Sequence, residues 1–389
     1  MYRIGIEEVE AVKRVIESKQ LFKVNSGALQ ETMHAEEELR AKCGAADSLT
    51  MTSGHAALAS ALVALGIGPG DQVIVPAYTY IATAMAVLEA GAIPVLAEID
   101  DTQTLDPDDF ERKITPYTKA VIPVHIKGFP SEMGRICEIA KKHGIAVVED
   151  ACQAFGATYR GKMLGTCGDA GAYSFNFYKI ITMGEGGAVV TDRRDVFERA
   201  LIYHDASAVA FFGNQMEGFE TEPFCGREYR TNEIASAILR EQLKRLDLIV
   251  SDLRRNKKLL SDAVKDYCRP IRSHDPEGDL GSILTLDFDT IEEADRFADC
   301  LHTKPTVYTG KHVYSNWKPI LEKRGALNPL MDPFKMEANK DIIPDYTPDM
   351  CPKTTFYLSK SVNIGIDPNW TEEQIEKKAA SIIAACKTL

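Results

Sequence analysis

The sequence predicts an α/β protein, with a large domain on a mostly parallel sheet followed by a smaller α+β domain. Short apolar runs at residues 72–75, 94–98, 120–124 and 146–149 alternate with amphipathic stretches at 80–90, 107–114 and 133–143. Strands apolar on both faces, joined by helical segments, belong to βαβ units and a parallel sheet. The chain has 389 residues and is 45% hydrophobic, enough for a large core and for more than one domain. Beyond residue 230 the rhythm changes to a long charged helix and isolated strand and helix signals.

The elements follow in order. Val9, Val12, Val15 and Ile16 share one face of a helix over 7–18, and a second helix is expected over 35–43. Ser53-Gly54-His55 opens an alanine-rich helix to about residue 65, closed by Gly66-Ile67-Gly68-Pro69-Gly70. The alternation described above then runs to a last strand at 189–191. A helix spans 232–254, a strand 283–289, and helices 291–301 and 370–387. The division expected is a large domain over 1–245, with a helical N-terminal segment, and a small one over 246–389. No internal repeat is visible.

Net charge is −12, from 57 acidic against 45 basic residues. Such a surface repels nucleic acid and anionic membranes, so small molecules or proteins are the expected partners. The nine cysteines are scattered and none are spaced C-x-x-C, which suggests neither a zinc site nor a disulfide framework. Reduced thiols in a cytoplasmic protein fit best. The N-terminus lacks the apolar core of a leader, and no apolar run approaches the ~20 residues of a membrane span.

In an open parallel sheet, ligands sit beyond the carboxyl ends of the strands. That directs attention to the loops after Val75, Val124 and Glu149. In Ser174-Phe175-Asn176-Phe177-Tyr178-Lys179-Ile180-Ile181, Lys179 lies between apolar flanks and before a Gly-rich turn. A lysine that forms an imine must be neutral part of the time, and burial lowers its pKa. Ser174, five residues earlier, could reach a phosphate. In Val147-Val148-Glu149-Asp150-Ala151-Cys152-Gln153, alternation turns Glu149 and Asp150 to opposite faces, and Asp150 is the better ligand candidate. Thr52-Ser53-Gly54-His55-Ala56 places backbone amides at a helix N-terminus, which bind phosphate without a basic side chain. Pro76-Ala77-Tyr78-Thr79-Tyr80 offers an aromatic face to a planar ring. Each motif also has an ordinary structural explanation: a solvated lysine, a helix cap, a Ser-Gly helix start, core aromatic packing.

Together and in this order, the motifs resemble the DegT/DnrJ/EryC1/StrS sugar aminotransferases, which have the aspartate-aminotransferase-like pyridoxal-phosphate (PLP) fold. The resemblance runs from Glu7-Glu8-Val9-Glu10-Ala11-Val12 through Gly68-Pro69-Gly70-Asp71-Gln72-Val73 and Glu149-Asp150-Ala151-Cys152 to the lysine block. It implies that Lys179 is the Schiff-base lysine and proton shuttle. Asp150 would pair with the pyridine nitrogen, keeping it protonated so that the ring serves as an electron sink. Gln153 would contact the ring hydroxyl and Tyr80 would stack on the ring. Ser174, with backbone at Gly54, His55 and Ala56, would hold the phosphate. Where His55 stands the family normally has Thr, so only the backbone role carries over.

Gly226-Arg227-Glu228-Tyr229-Arg230-Thr231-Asn232-Glu233 matches a family loop that enters the neighbouring subunit's site, implying a homodimer in which Arg230 reaches the cofactor. The family's Asn is Glu228 here, so either the loop is displaced or Glu228 faces substrate. His312 and Tyr314 fall where the family has a substrate-side His/Tyr stretch. The motifs are most similar to the branch that makes 8-amino-3,8-dideoxyoctulosonate. The implied reaction moves an amino group from L-glutamate to a sugar carbonyl, on a ketosugar, a sugar aldehyde or a sugar acid, with or without a nucleotide. No metal is implied. Two alternatives are a PLP-dependent sugar dehydratase and a non-catalytic sensor. Dehydratases of this fold replace the lysine, and a regulator has no reason to keep both Lys179 and Asp150.

Overall fold

The computed structural model describes residues 3–24, 27–211 and 215–389. In chain order the strands are β1 (Asp47–Met51), β2 (Gln72–Pro76), β3 (Ile93–Ala97), β4 (Thr118–Val121), β5 (Ala146–Asp150), β6 (Thr158–Tyr159), β7 (Lys162–Met163), β8 (Ala170–Ser174), β9 (Gly187–Thr191), β10 (Arg269–Pro270), β11 (Ile283–Asp287) and β12 (Ser361–Gly365). The helices are α1 (Ile6–Ser18), α2 (Glu31–Cys43), α3 (Gly54–Ala64), α4 (Ala82–Glu89), α5 (Pro107–Arg112), α6 (Met133–His143), α7 (Arg194–His204), α8 (Glu233–Val264), α9 (Ile291–Cys300), α10 (Lys318–Leu321), α11 (Pro352–Ser359) and α12 (Glu372–Cys386).

Seven strands form the central sheet in the order β1-β9-β8-β5-β4-β2-β3. From β8 to β3 neighbours are parallel, and β9 alone runs against the rest. The parallel α/β architecture expected of the sequence is the one observed. Strands β2, β3, β8 and β9 are buried throughout, as a sheet covered on both faces requires. Helix α3 packs over β8 and β9. Its first-turn glycine is forced by that proximity: a Cβ on Gly54 would lie 2.6 Å from Cys152 Sγ and 2.8 Å from Ser174 Cβ. Gly187 is needed for the same reason, since its Cβ would fall 2.4 Å from the Ser53 carbonyl.

Several boundaries shift for identifiable reasons. The expected strand over 120–124 stops at Val121 because Pro123 has no N–H to donate, although a bridge still joins Val124 to Asp150. The helix expected from residue 80 starts at Ala82, because Thr79 and Ile81 donate instead to His312 O and Lys311 O. Strand β1 (Asp-Ser-Leu-Thr-Met) and strand β8 (Ala-Gly-Ala-Tyr-Ser) carry too few branched apolar residues to stand out in sequence. Helix α8 is 32 residues long, about 48 Å at helical rise. Leu239, Leu243, Leu246, Val250, Leu253, Leu260 and Val264 form its buried stripe. It runs through position 245/246, the boundary expected between the two domains.

A second sheet, β10-β11-β12, packs with α8, α9 and α12. Between β11 and β12 the chain returns to the large sheet: Val313, Tyr314, Trp317, Phe334 and Tyr346 join the core containing Val73, Val75 and Tyr78. That return carries residues 310–314 to the carboxyl end of β2. Among the described residues no helix is long and apolar enough to cross a membrane, and no group of His, Cys, Asp and Glu could hold a metal.

Candidate active site

At the end of β5 the two acidic residues have separate surroundings. Glu149 accepts from the amides of Gly165, Cys167 and Gly168 and pairs with His125 at 2.9 Å, which makes it a structural hub. Asp150 is also buried, and it accepts from the neutral donors Thr83 Oγ1 at 2.7 Å and the Cys152 amide at 3.1 Å. Among the described residues no cation pairs with Asp150. A buried carboxylate held by neutral donors awaits a positive partner.

The end of α3 meets β8 beside it. Ser53 caps the helix, its Oγ accepting from the Ala56 amide at 3.0 Å, so that amide is already engaged. Gly54 seats so closely on Ser174 and Cys152 that no side chain fits there, and the start of α3 and the end of β8 form one cradle of backbone and Ser174. Lys179 follows β8 in a turn, half-buried, its amide donating to Asn176 O. Strand β8 runs parallel to its neighbour β5, so this turn and Asp150 lie at the same end of the sheet. Phe177 and Tyr178 beside it are exposed.

The opposite wall comes from residues 310–312. Tyr80 lies 5.6 Å from the His312 ring, and Lys311 Nζ is 4.9 Å from the Tyr80 centroid. Burial, with the nearby charges of Lys127, Lys311 and Lys179, pushes the His312 pKa down to about 4. Gln153 Oε1 accepts from the Lys127 amide at 3.0 Å. Tyr314 lies deeper than the sequence suggests: it is fully buried, its hydroxyl donating to Pro348 O and accepting from the Cys351 amide.

The loop 226–232 lies against the Thr52 turn, with Tyr229 O accepting from the Thr52 amide. Arg230 pairs with Asp205 and, at 2.8 Å, with Glu228, whose side chain is otherwise exposed. Tyr229 Oη bonds Glu89, which also pairs with His55 Nε2 at 2.6 Å. The His55 side chain is thus tied to α4 and leaves only its backbone for the cradle. Thr83 and Lys127 carry no motif in the sequence. The signal available was position, since Lys127 lies in the loop after Val124 where the sheet topology directs ligands.

Burial works against a charged His55 ring, but the hydrogen bond and charge of Glu89 outweigh it and raise the His55 pKa. Folded protein therefore binds that proton more tightly than unfolded chain does. The stabilisation is complete below the unfolded value of about 6.5 and is lost as pH rises through the folded value. His55→Gln is expected to flatten the fall in melting temperature between about pH 6 and about pH 8.5. Parallel curves for variant and wild type would remove this role.

These features fit a flat phosphorylated ring whose nitrogen must stay protonated. The cradle at Gly54 and Ser174 suits a phosphate, and the cation-free Asp150 suits the nitrogen. The DegT/DnrJ/EryC1/StrS aminotransferase family model matches residues 3–318. The chain is similar to the GDP-perosamine synthase of Caulobacter vibrioides, 44% identical over 53% of this chain and 54% of that one. It is also similar to the L-glutamine:2-deoxy-scyllo-inosose aminotransferase of Streptomyces kanamyceticus, 40% identical over 57% of this chain and 53% of that one. The chain thus spans little more than half the length of these relatives. The solved structure of S. venezuelae DesV in complex with a ketimine intermediate superposes at TM-score 0.78, with 27% identity over 99% of this chain and 95% of that chain.

Proposed function

The chain belongs to the DegT/DnrJ/EryC1/StrS aminotransferase family, and from that premise we propose that it is a PLP-dependent enzyme moving an amino group from L-glutamate to a sugar carbonyl. The observation that carries the reading is the buried carboxylate of Asp150 at the end of β5, which pairs with no cation among the described residues, with Lys179 in the turn that follows the neighbouring strand β8. When bound, PLP supplies an electron sink for charge developing at the carbon that bears the amino group.

The chain's own residues do the rest. Asp150, fixed by Thr83 and the Cys152 amide, holds a proton on the ring nitrogen. The Gly54 and His55 backbone and Ser174 hold the phosphate, a role open to backbone donors at a helix N-terminus. Tyr80 covers a ring face, and Gln153, oriented by the Lys127 amide, meets the ring hydroxyl. Lys179 would hold the cofactor through its side-chain amine, and, released when the donor binds, that amine would act as general base and then general acid toward the donor α-carbon. Lys179 also weighs against the dehydratase reading, in which that position is not a lysine.

We place the working form as a homodimer in which Arg230 and Glu228 approach the neighbouring site. The exposed aromatic pair Phe177–Tyr178 beside Lys179 supports that, as a surface a second copy would cover. The test is the visible spectrum of the purified protein before and after L-glutamate, with L-glutamine as a second donor. A yellow protein that bleaches is the expected result. A protein that stays colourless with PLP supplied would overturn the cofactor assignment. One that is yellow but unmoved by either donor would overturn the transaminase assignment. Sedimentation of the same preparation near 42.9 kDa, the mass of one chain, would remove the shared site.

A further inference from the structure

One group in the site is explained by none of these roles. Lys127 stands in the loop after β4, at the carboxyl end of the sheet. Its ammonium nitrogen is buried and has no hydrogen-bond partner among the described residues. It lies 5.2 Å from the centroid of the Tyr78 ring, whose π face is a weak substitute for water. The backbone that aims it is unusual too: Lys127 has φ 53°, a left-handed conformation costly for a residue with a Cβ. That conformation is fixed from both sides, by the Lys127 amide on Gln153 and by Ser282 Oγ donating to Lys127 O.

Backbone strain and desolvation thus hold a buried amine at the carboxyl end of the sheet without an acceptor among the described residues. Native structures rarely leave such a group unmade unless a ligand completes it. The surroundings give the sign of that ligand. Lys127, Lys179 and Lys311 all bear on His312, whereas Asp150 already has its assigned partner in the ring nitrogen. The cradle for phosphate lies at Gly54 and Ser174, on the β8 side of Asp150, and β4 lies on its other side. The cofactor's own anion is thus placed away from Lys127. Burial alone lowers the Lys127 pKa to about 7, so the empty site leaves the amine easily neutralised until an anion arrives.

We propose that Lys127 is the carboxylate receptor of the substrate site, its buried ammonium pairing with a carboxylate of the reacting molecule. The inference rests on the function proposed above. Two sources share this chemistry: a carboxylate of the amino donor, and the carboxylate of a sugar-acid acceptor. The second would restrict the acceptor to sugar acids.

The test uses PLP-loaded wild type, Lys127→Met and Lys127→Arg. Glutarate, a dicarboxylate without an amino group, is titrated against the visible band, which reads binding without turnover. Met is expected to weaken glutarate about 10- to 100-fold, as loss of a charged hydrogen bond does, and Arg to restore part of it. Removing an uncompensated buried charge should leave the melting temperature of Lys127→Met unchanged or higher, so misfolding is distinguishable. The source is read in two half-reactions. A raised half-saturation for L-glutamate with little change in limiting rate assigns the donor. For the acceptor, the aminated enzyme is given 8-oxo-3-deoxyoctulosonate and its methyl ester; wild-type preference for the acid, lost in Lys127→Met, assigns the sugar acid. Wild-type affinity of Lys127→Met for glutarate, glutamate and the acid overturns the proposal. A wild type that binds glutarate through Lys127 but never transaminates keeps the receptor and overturns the function.

Discussion

Lys179→Ala is expected to lower the rate of the glutamate half-reaction by about 10³-fold or more while leaving the fold intact. A positioned proton shuttle contributes roughly 10²–10⁴-fold by itself, and this residue is assigned a covalent role as well. The structure makes the substitution a clean one. Lys179 is half-buried in a turn, and the turn is held by backbone bonds, the Lys179 amide to Asn176 O and the Met183 amide to Phe175 O. Neither depends on the side chain, so the melting temperature of cofactor-free protein should move little. Single-turnover absorbance with L-glutamate measures the rate, and added methylamine should recover part of it by standing in for the missing amine. Lys179→Arg keeps a charge near Cys152 and His312 but cannot serve as an imine-forming amine, and should be as inactive as alanine. A Lys179→Ala protein within tenfold of wild type would transfer the proton role elsewhere in the cleft, to Lys127 first.

How much of this could be read from the chain depends on whether a residue's neighbours are local. Asp150 and Glu149 are separable in sequence because a strand alternates, and each side chain keeps its own set of partners in the fold. The Gly-Gly at 186–187 and the Gly at 54 flag the crowding at the cradle, although not which atoms cause it. Lys127 is the opposite case. A lysine after a strand reads as solvated, whereas its amine is buried beside Tyr78 and its backbone amide is held by Gln153, both distant in sequence. Thr83 was illegible for the same reason: nothing local says that its hydroxyl meets Asp150. Tyr314 stands two residues from His312, yet the turn between them sends one toward the cleft and the other into the core. Helix α8 continues through position 245/246, where the sequence places a division, and residues 313–346 fold back onto the core of the larger sheet.

Asp150→Asn is expected to split the stability of the protein according to cofactor. Without PLP, Asp150 is a buried carboxylate with two neutral donors and no cation among the described residues. Asparagine has the same shape but a single oxygen, which can accept from Thr83 or from the Cys152 amide and not from both, so relief of the buried charge is set against one lost hydrogen bond and the apo melting temperature should move little. With PLP the loss is one-sided. The ring nitrogen then lacks its counter-charge, and removing one partner of a buried pair costs about 3–5 kcal/mol, or roughly 10²–10³-fold in cofactor affinity at about 1.4 kcal/mol per factor of ten. The rise in melting temperature on adding PLP, which grows with ligand concentration over its dissociation constant, should shrink accordingly. The rate should fall as well, because a ring nitrogen without a proton is a weaker electron sink. Thr83→Val, which removes one donor and leaves the charge, should produce a smaller loss in the same direction. A variant that loses apo stability while binding PLP normally would show that Asp150 serves the fold, as Glu149 does, and the cofactor would have to find its counter-charge elsewhere.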